Sequence, residues 1–178
     1  MLSDFIIDSR EAKSKVPEYI KAYIPLALEK LHWKDTVPIS QRKLVWGDYV
    51  WMDIQGRVFG CERKTYSDLL SSMNENGQKR MLKELGFEAD IKEVHKVTRQ
   101  LYLGVQAGAR MFLVLEGTPW VDDAGKLLGR RSLVSIEAMM CRYELEGVHV
   151  WLTENPQATA KRLVDAYMMC QRKSEVWP

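Results

Sequence analysis

Asp48, Glu62 and Lys64 are the residues with most chemistry to offer. They border two β-prone runs, Tyr49–Ile54 and Arg57–Lys64, separated by Gln55-Gly56, a pattern that predicts a hairpin. Side chains alternate faces along a strand, so Glu62 and Lys64 share one face and Arg63 takes the other. A short hairpin returns Glu62 to the neighbourhood of Asp48, at the start of the first strand. Two hard carboxylates beside one ammonium suit Mg2+ or Mn2+, which keep several waters and take up phosphate oxygens. The lysine can orient or deprotonate an attacking water and stabilise charge on a phosphorane-like transition state. Phosphodiester hydrolysis needs that set. On spacing alone the pattern is common, since Asp and Lys beside a turn are ordinarily solvated, and the wider context must decide.

The surrounding elements set how these groups are held. Phe5-Ile6-Ile7, ending in Asp8, reads as a first buried strand. Residues 14–31 read as a helix entered near Pro17 and broken or kinked at Pro25. A second strand is expected over Ile39–Trp46, before the hairpin. Thr65 is placed to N-cap a helix running to about Met73, with Asp68 three residues on, where a carboxylate favours the helix start. Asn74–Gly77 reads as a loop, and 77–85 and 91–107 as helices, the second with Val94, Val97, Leu101 and Val105 on one face. Met111–Glu116 predicts a strand, 117–131 a polar loop, 132–146 a helix, His149–Leu152 a strand and Pro156 to about Arg172 a last helix. On that helix Ala160, Leu163, Val164 and Tyr167 share a face. Early strands followed by alternating helices and strands imply an α/β fold, a mixed sheet with helices on both faces.

Length and composition bound the rest. A chain of 178 residues implies one domain, 1–178, with core enough to need neither disulfide nor structural metal. Lys+Arg of 26 against Asp+Glu of 24 excludes a histone-like polycation, while leaving room for a local basic patch. Cys61, Cys141 and Cys170 are odd in number and show no CxxC, which points to a reducing interior. His32, His95 and His149 show no paired-ligand spacing, so zinc has little support. No membrane-length apolar run or signal-peptide pattern is visible, and the expected location is intracellular: cytoplasmic in a prokaryotic or viral source, nuclear in a eukaryotic one. Asp122-Asp123-Ala124-Gly125-Lys126 lacks the terminal Glu of a calcium loop. Trp46 and Trp51 flank Asp48 and read as wall packing ahead of base stacking.

Asp8-Ser9-Arg10-Glu11, then Gly47-Asp48, then Glu62-Arg63-Lys64-Thr65-Tyr66-Ser67-Asp68 resemble, in order and at workable spacing, the nuclease domain of the XPF family of structure-specific endonucleases. Arg110–Gly117 resembles the family's later strand and Gly147–Pro156 its final strand and last helix entry, so the resemblance spans residues 4–172. It implies a restriction-endonuclease-like central mixed β-sheet flanked by helices. It also implies a metal-dependent endodeoxyribonuclease acting near duplex/single-strand junctions (flap, fork or recombination intermediates) in DNA repair or recombination. Asp48 and Glu62 would be metal ligands, joined by Glu11 and in some arrangements Asp8, with Mg2+ as cofactor and Mn2+ as substitute. Lys64 would serve the water or the transition state, and the Arg63 carbonyl would approach the metal. Arg10 belongs to the same signature, in a DNA-binding or bracing role. For the Arg63 side chain two readings stand, bracing against an acid such as Asp68 or direct contact with DNA.

Departures from the family pattern bear on partners. A basic Gly-Arg-Leu-x-x-Gln segment has as its nearest counterpart His95–Gln100, with Lys96 in place of the arginine and Gln100 retained; Lys96 and Arg99 equally suit the solvated face of a helix. No C-terminal helix-hairpin-helix pattern follows the last helix before Pro178. Junction affinity would then come from the inserted residues, or from a homodimer or heterodimer, with the last helix (Val164, Tyr167, Met168) as the expected subunit surface. Met139-Met140 reads as core or a subunit contact. The alternatives to a branched-DNA endonuclease are a non-cutting DNA-binding partner subunit and a sequence-specific restriction-type enzyme. No membrane association is expected.

Overall fold

The computed structural model describes residues 2–72 and 96–172. Its strands are Phe5–Asp8 (β1), Ile39–Arg42 (β2), Tyr49–Met52 (β3), Val58–Thr65 (β4), Arg110–Glu116 (β5), Lys126–Leu127 (β6), Arg131–Ser132 (β7) and His149–Thr153 (β8). Its α-helices are Val16–Lys30 (α1), Tyr66–Ser72 (α2), Lys96–Gln106 (α3), Leu133–Leu145 (α4) and Pro156–Cys170 (α5). Six strands form a mixed sheet in the order β2-β1-β3-β4-β5-β8. β3 lies antiparallel to both β1 and β4, whereas β1–β2, β4–β5 and β5–β8 are parallel.

β5 explains the layering. Its apolar run is buried on both faces, as expected of a strand with parallel neighbours. Phe112 and Val114 join Phe5, Tyr49, Trp51, Phe59 and Cys61 under α1 and α5. Met111, Leu113 and Leu115 join Leu69, Val97, Leu101, Ile136 and Tyr143 under α2, α3 and α4. The fold class expected from the sequence is therefore the one adopted.

Several local expectations are refined. α1 continues through Pro25 as one helix, with Pro25 on its exposed side, where water reaches the Lys21 carbonyl it leaves unbonded. The second strand ends at Arg42, short of Trp46. A 3-10 helix over Ser9–Lys13 follows β1, and the loop at 117–131 contains the small β6–β7 hairpin. Asp122 shapes that hairpin by accepting from the Ala124 and Lys126 N–H groups. Val105 is exposed at the end of α3 rather than packed with Val97 and Leu101. Val164, Tyr167 and Met168 are buried within the chain's own core, so the face expected to meet a second subunit is an internal one. The expected helix at 77–85, the loop at 74–77, Met73, His95, Val94 and the start of the 91–107 helix lie outside the described residues. Among the described residues no helix is long and apolar enough to cross a membrane.

Candidate active site

The catalytic-type cluster forms at the carboxyl-terminal half of β4, where the strand changes from apolar Val58–Cys61 to charged Glu62–Lys64. Gly47 makes the approach possible. Its φ of +70° belongs to the left-handed region, and a Cβ there would press on the Cys61 carbonyl. The next residue, Asp48, donates its backbone N–H to that carbonyl at 2.7 Å, which holds it against β4 just before β3 begins. The ladder ends at the Tyr49–Cys61 pair, one residue short of Asp48 and of Glu62, and the two carboxyls lie close enough for Glu62 to act on Asp48. Asp48 Oδ2 accepts the Arg63 backbone N–H at 2.8 Å. Lys64 Nζ forms an ion pair with Glu62 Oε1, as their shared strand face requires. Glu62 is fully buried, and its Oε2 has no hydrogen-bond partner among the described residues.

Electrostatics follow from that geometry. Burial, then the neighbouring Glu62, pushes the Asp48 carboxyl up to about 7. Burial raises Glu62 as well, against the opposing pull of Lys64 and, more weakly, Lys96. For Lys64, burial favours the neutral amine, but Glu62 and Asp48 outweigh it and hold the ammonium above its usual range. Lys64 thus counters both buried acids, which still repel each other. Like charges that close disfavour joint ionisation unless further positive charge arrives.

The remaining candidates divide by location. Glu11, on the 3-10 helix, receives the Tyr49 hydroxyl at 2.8 Å and faces Arg63 Nη1 at 3.5 Å. Burial and Asp48 raise its pKa, so it lies within the field of the carboxylate pair. Asp8 is saturated: its carboxylate accepts from the Arg10 backbone N–H, from two guanidinium nitrogens of Arg10 and from the Leu44 N–H. Those donors outweigh burial and hold Asp8 below the usual carboxylate range. Arg63 does not pair with Asp68. Its guanidinium binds both oxygens of Glu116, with Nε–Oε2 at 2.9 Å, because odd-numbered β4 positions face α1 and α5 and Glu116 ends β5 on that side. Asp68 instead exchanges hydrogen bonds with Thr65, whose Oγ1 caps the Asp68 N–H at 3.1 Å as the sequence predicts. Lys96 is exposed at the start of α3, yet its charge reaches Glu62. Gln100, one turn later, is buried with Oε1 unpartnered among the described residues.

Glu116 escaped sequence reasoning. It is buried, and its Oε2 also accepts the Thr159 hydroxyl at 2.7 Å, which ties β5 to α5. Trp46 did behave as wall packing: its ring lies across Gly60 on β4.

The donor set fits a hard divalent cation. Asp48 and Glu62 supply carboxylate oxygens, Glu62 Oε2 is orphaned in a buried site, and both acids stay pushed up despite the Lys64 ammonium. Among the described residues, no group of three or more carboxylate, imidazole or thiol side chains is already gathered at ligating distance. Such an ion would rest on two protein carboxylates, with waters and substrate oxygens completing its shell, as is usual for Mg2+.

Comparison with known proteins bears on the family and the fold. The sequence model of the ERCC4 domain family matches residues 7–165. Among solved structures, XPF from Aeropyrum pernix superposes with a TM-score of 0.57 at 22% identity, over 93% of this chain and 64% of that one. XPF from Aeropyrum pernix in complex with DNA superposes with a TM-score of 0.54 at 24% identity, over 97% of this chain and 68% of that one. The chain thus spans just under two thirds of the first of these relatives. No curated protein matches significantly.

Proposed function

The chain belongs to the ERCC4 domain family, and from that premise we propose that it is a metal-dependent endodeoxyribonuclease acting on branched DNA in repair or recombination. One observation carries the reading: a buried Asp48–Glu62 pair, with both acids pushed up, lies beside the Lys64 ammonium. Asp48 and Glu62 would hold Mg2+ (or Mn2+), with Glu11 at the margin of the set. When bound, the ion supplies charge neutralisation and lowers the pKa of a ligated water.

The chain's own groups define the rest. Lys64 is kept protonated by Glu62 and Asp48, which suits it to orient water and stabilise charge on the phosphoryl oxygens rather than to remove a proton. The Arg63 N–H fixes Asp48, and the Arg63 side chain, pinned by Glu116, supports Glu11 and Tyr49. Water attacks phosphorus in line and gives up a proton to solvent, the bond to the leaving oxygen breaks, and that oxygen takes up a proton from solvent as the alcohol leaves. Asp8 and Arg10, bound to each other, act here as scaffold. Lys96 and Gln100 border the site from α3, the first as a long-range cation.

A non-cutting DNA-binding subunit is the second reading. It is favoured by Glu11, which is engaged with Tyr49 and Arg63 instead of joining the carboxylate pair in a three-ligand group. Labelled linear duplex, single strand, both flap polarities, fork and four-way junction separate these readings. Mg2+-dependent nicking near a junction supports the endonuclease. Binding without nicking in Mg2+ and Mn2+ supports the subunit, and cutting that follows base sequence supports a restriction-type enzyme.

A further inference from the structure

Leu44 and Trp46 are both anchored, and Val45 between them is 81% exposed. Leu44 donates its N–H to Asp8 Oδ2 at 2.7 Å, and its carbonyl accepts from Arg10 Nη2 at 3.1 Å. Trp46 is seated over Gly60, where any Cβ would collide with its ring. Asp8 is wholly buried, and its own N–H donates to the Asp48 carbonyl at 2.8 Å. One residue therefore sets the loop in register with the candidate catalytic acid. Arg42 and Lys43 precede the anchor and are exposed, and Arg10 is half-exposed beside it.

A loop that merely connected β2 to β3 would need none of this restraint, since connecting segments are ordinarily mobile and polar. Here a fully buried carboxylate with four N–H donors holds an apolar side chain in water, flanked by cations, three residues from Asp48. Cations bind backbone phosphates, and rigid apolar side chains pack against base steps that they part.

Building on the nuclease reading, we propose that Arg42–Val45, the end of β2 and the loop that follows it, form a rigid DNA contact, in which Arg42 and Lys43 take phosphates and Val45 packs against the terminal base pair at a strand junction. Asp8 is its positioning residue, and Arg10 braces it. The loop thereby places the junction at a fixed distance from Asp48 and Glu62, which makes it a determinant of where the strand is cut.

The test uses the full chain in Ca2+, with a fluorescein-labelled flap duplex carrying 2-aminopurine at the junction. Anisotropy is measured across a KCl series for the wild type, the double variant Arg42→Ala/Lys43→Ala and Val45→Ser, each checked by circular dichroism. The double variant is expected to weaken binding about tenfold and flatten the log–log salt slope by about 2, near one unit per lost phosphate contact. Val45→Ser is expected to keep affinity within about twofold while losing the 2-aminopurine fluorescence rise on binding. An unchanged salt slope in the double variant, or an undiminished fluorescence rise in Val45→Ser, overturns the proposal while leaving the nuclease reading intact. Absence of wild-type binding to the flap duplex removes the nuclease reading itself.

Discussion

The backbone N–H of Arg63 holds Asp48 Oδ2 at 2.8 Å, while the Arg63 side chain, on the opposite face of the sheet, is gripped by Glu116. One residue thereby links the acid of the candidate site to a buried ion pair under α5. Breaking a buried pair leaves an uncompensated charge and costs about 3–5 kcal/mol. Glu116→Ala should lower the urea-unfolding free energy by about 3 kcal/mol, and Glu116→Gln by less, since the amide still reaches Thr159. Equal stability of Glu116→Ala and wild type would mean that Arg63 finds another partner.

Asp48→Asn removes a ligand charge, and Lys64→Ala removes the ammonium. Each should reduce cleavage of labelled flap DNA by about 100-fold or more while leaving the circular dichroism spectrum unchanged. Wild-type rates in both variants would show that the chemistry lies elsewhere on the surface.

Asp48 also predicts how stability varies with pH. With a carboxyl raised to about 7, the folded chain keeps a proton that the unfolded chain releases near 3.8. Stability therefore falls as pH rises between about 4 and 7, and Glu62, shifted the same way, adds to the decline. Asp8 and Asp53, held low by arginine partners, act oppositely below their ordinary range, where protonation withdraws their contribution. In EDTA the wild type should melt at a higher temperature near pH 5 than near pH 8. Asp48→Asn should flatten that difference, and added Mg2+ should raise the melting temperature at pH 8 by preferential binding to the folded state. A wild type that melts higher at pH 8 than at pH 5 in EDTA would contradict the buried pair.

Gly60 is the seat of Trp46, and Met111 packs against the same spot. Gly60→Ala should destabilise the fold by about 1–3 kcal/mol through overpacking. The loss should shrink in a Trp46→Ala background if the clash is with that ring. Additive effects would locate the strain at Met111 instead.

Much of this site was legible before folding. The alternation of Glu62, Arg63 and Lys64 predicts one face for Glu62 and Lys64 and the other for Arg63, and Lys64 Nζ does pair with Glu62 while Arg63 reaches Glu116. The spacing of Ala160, Leu163, Val164 and Tyr167 likewise predicts one apolar face for α5, and all four lie together in the core. The Arg63 partner was not legible, because Glu116 lies 53 residues downstream and meets it only through the parallel β4–β5 pairing. Nor was the 3-10 helix at Ser9–Lys13, whose charged residues show no apolar period and which Asp8 caps through its side chain. Val164, Tyr167 and Met168 face the chain's own core and not a second subunit, since a sequence shows which face is apolar, not which neighbour covers it.

The central claim is that Asp48 and Glu62 together hold one divalent ion. Titration of the metal-free chain with Mn2+, followed by electron paramagnetic resonance, tests it most directly. One bound ion is predicted for the wild type, lost in both Asp48→Asn and Glu62→Gln and retained in Asp53→Asn, whose carboxylate serves the β3–β4 turn. Equal Mn2+ binding by the wild type and the two site variants would contradict the account.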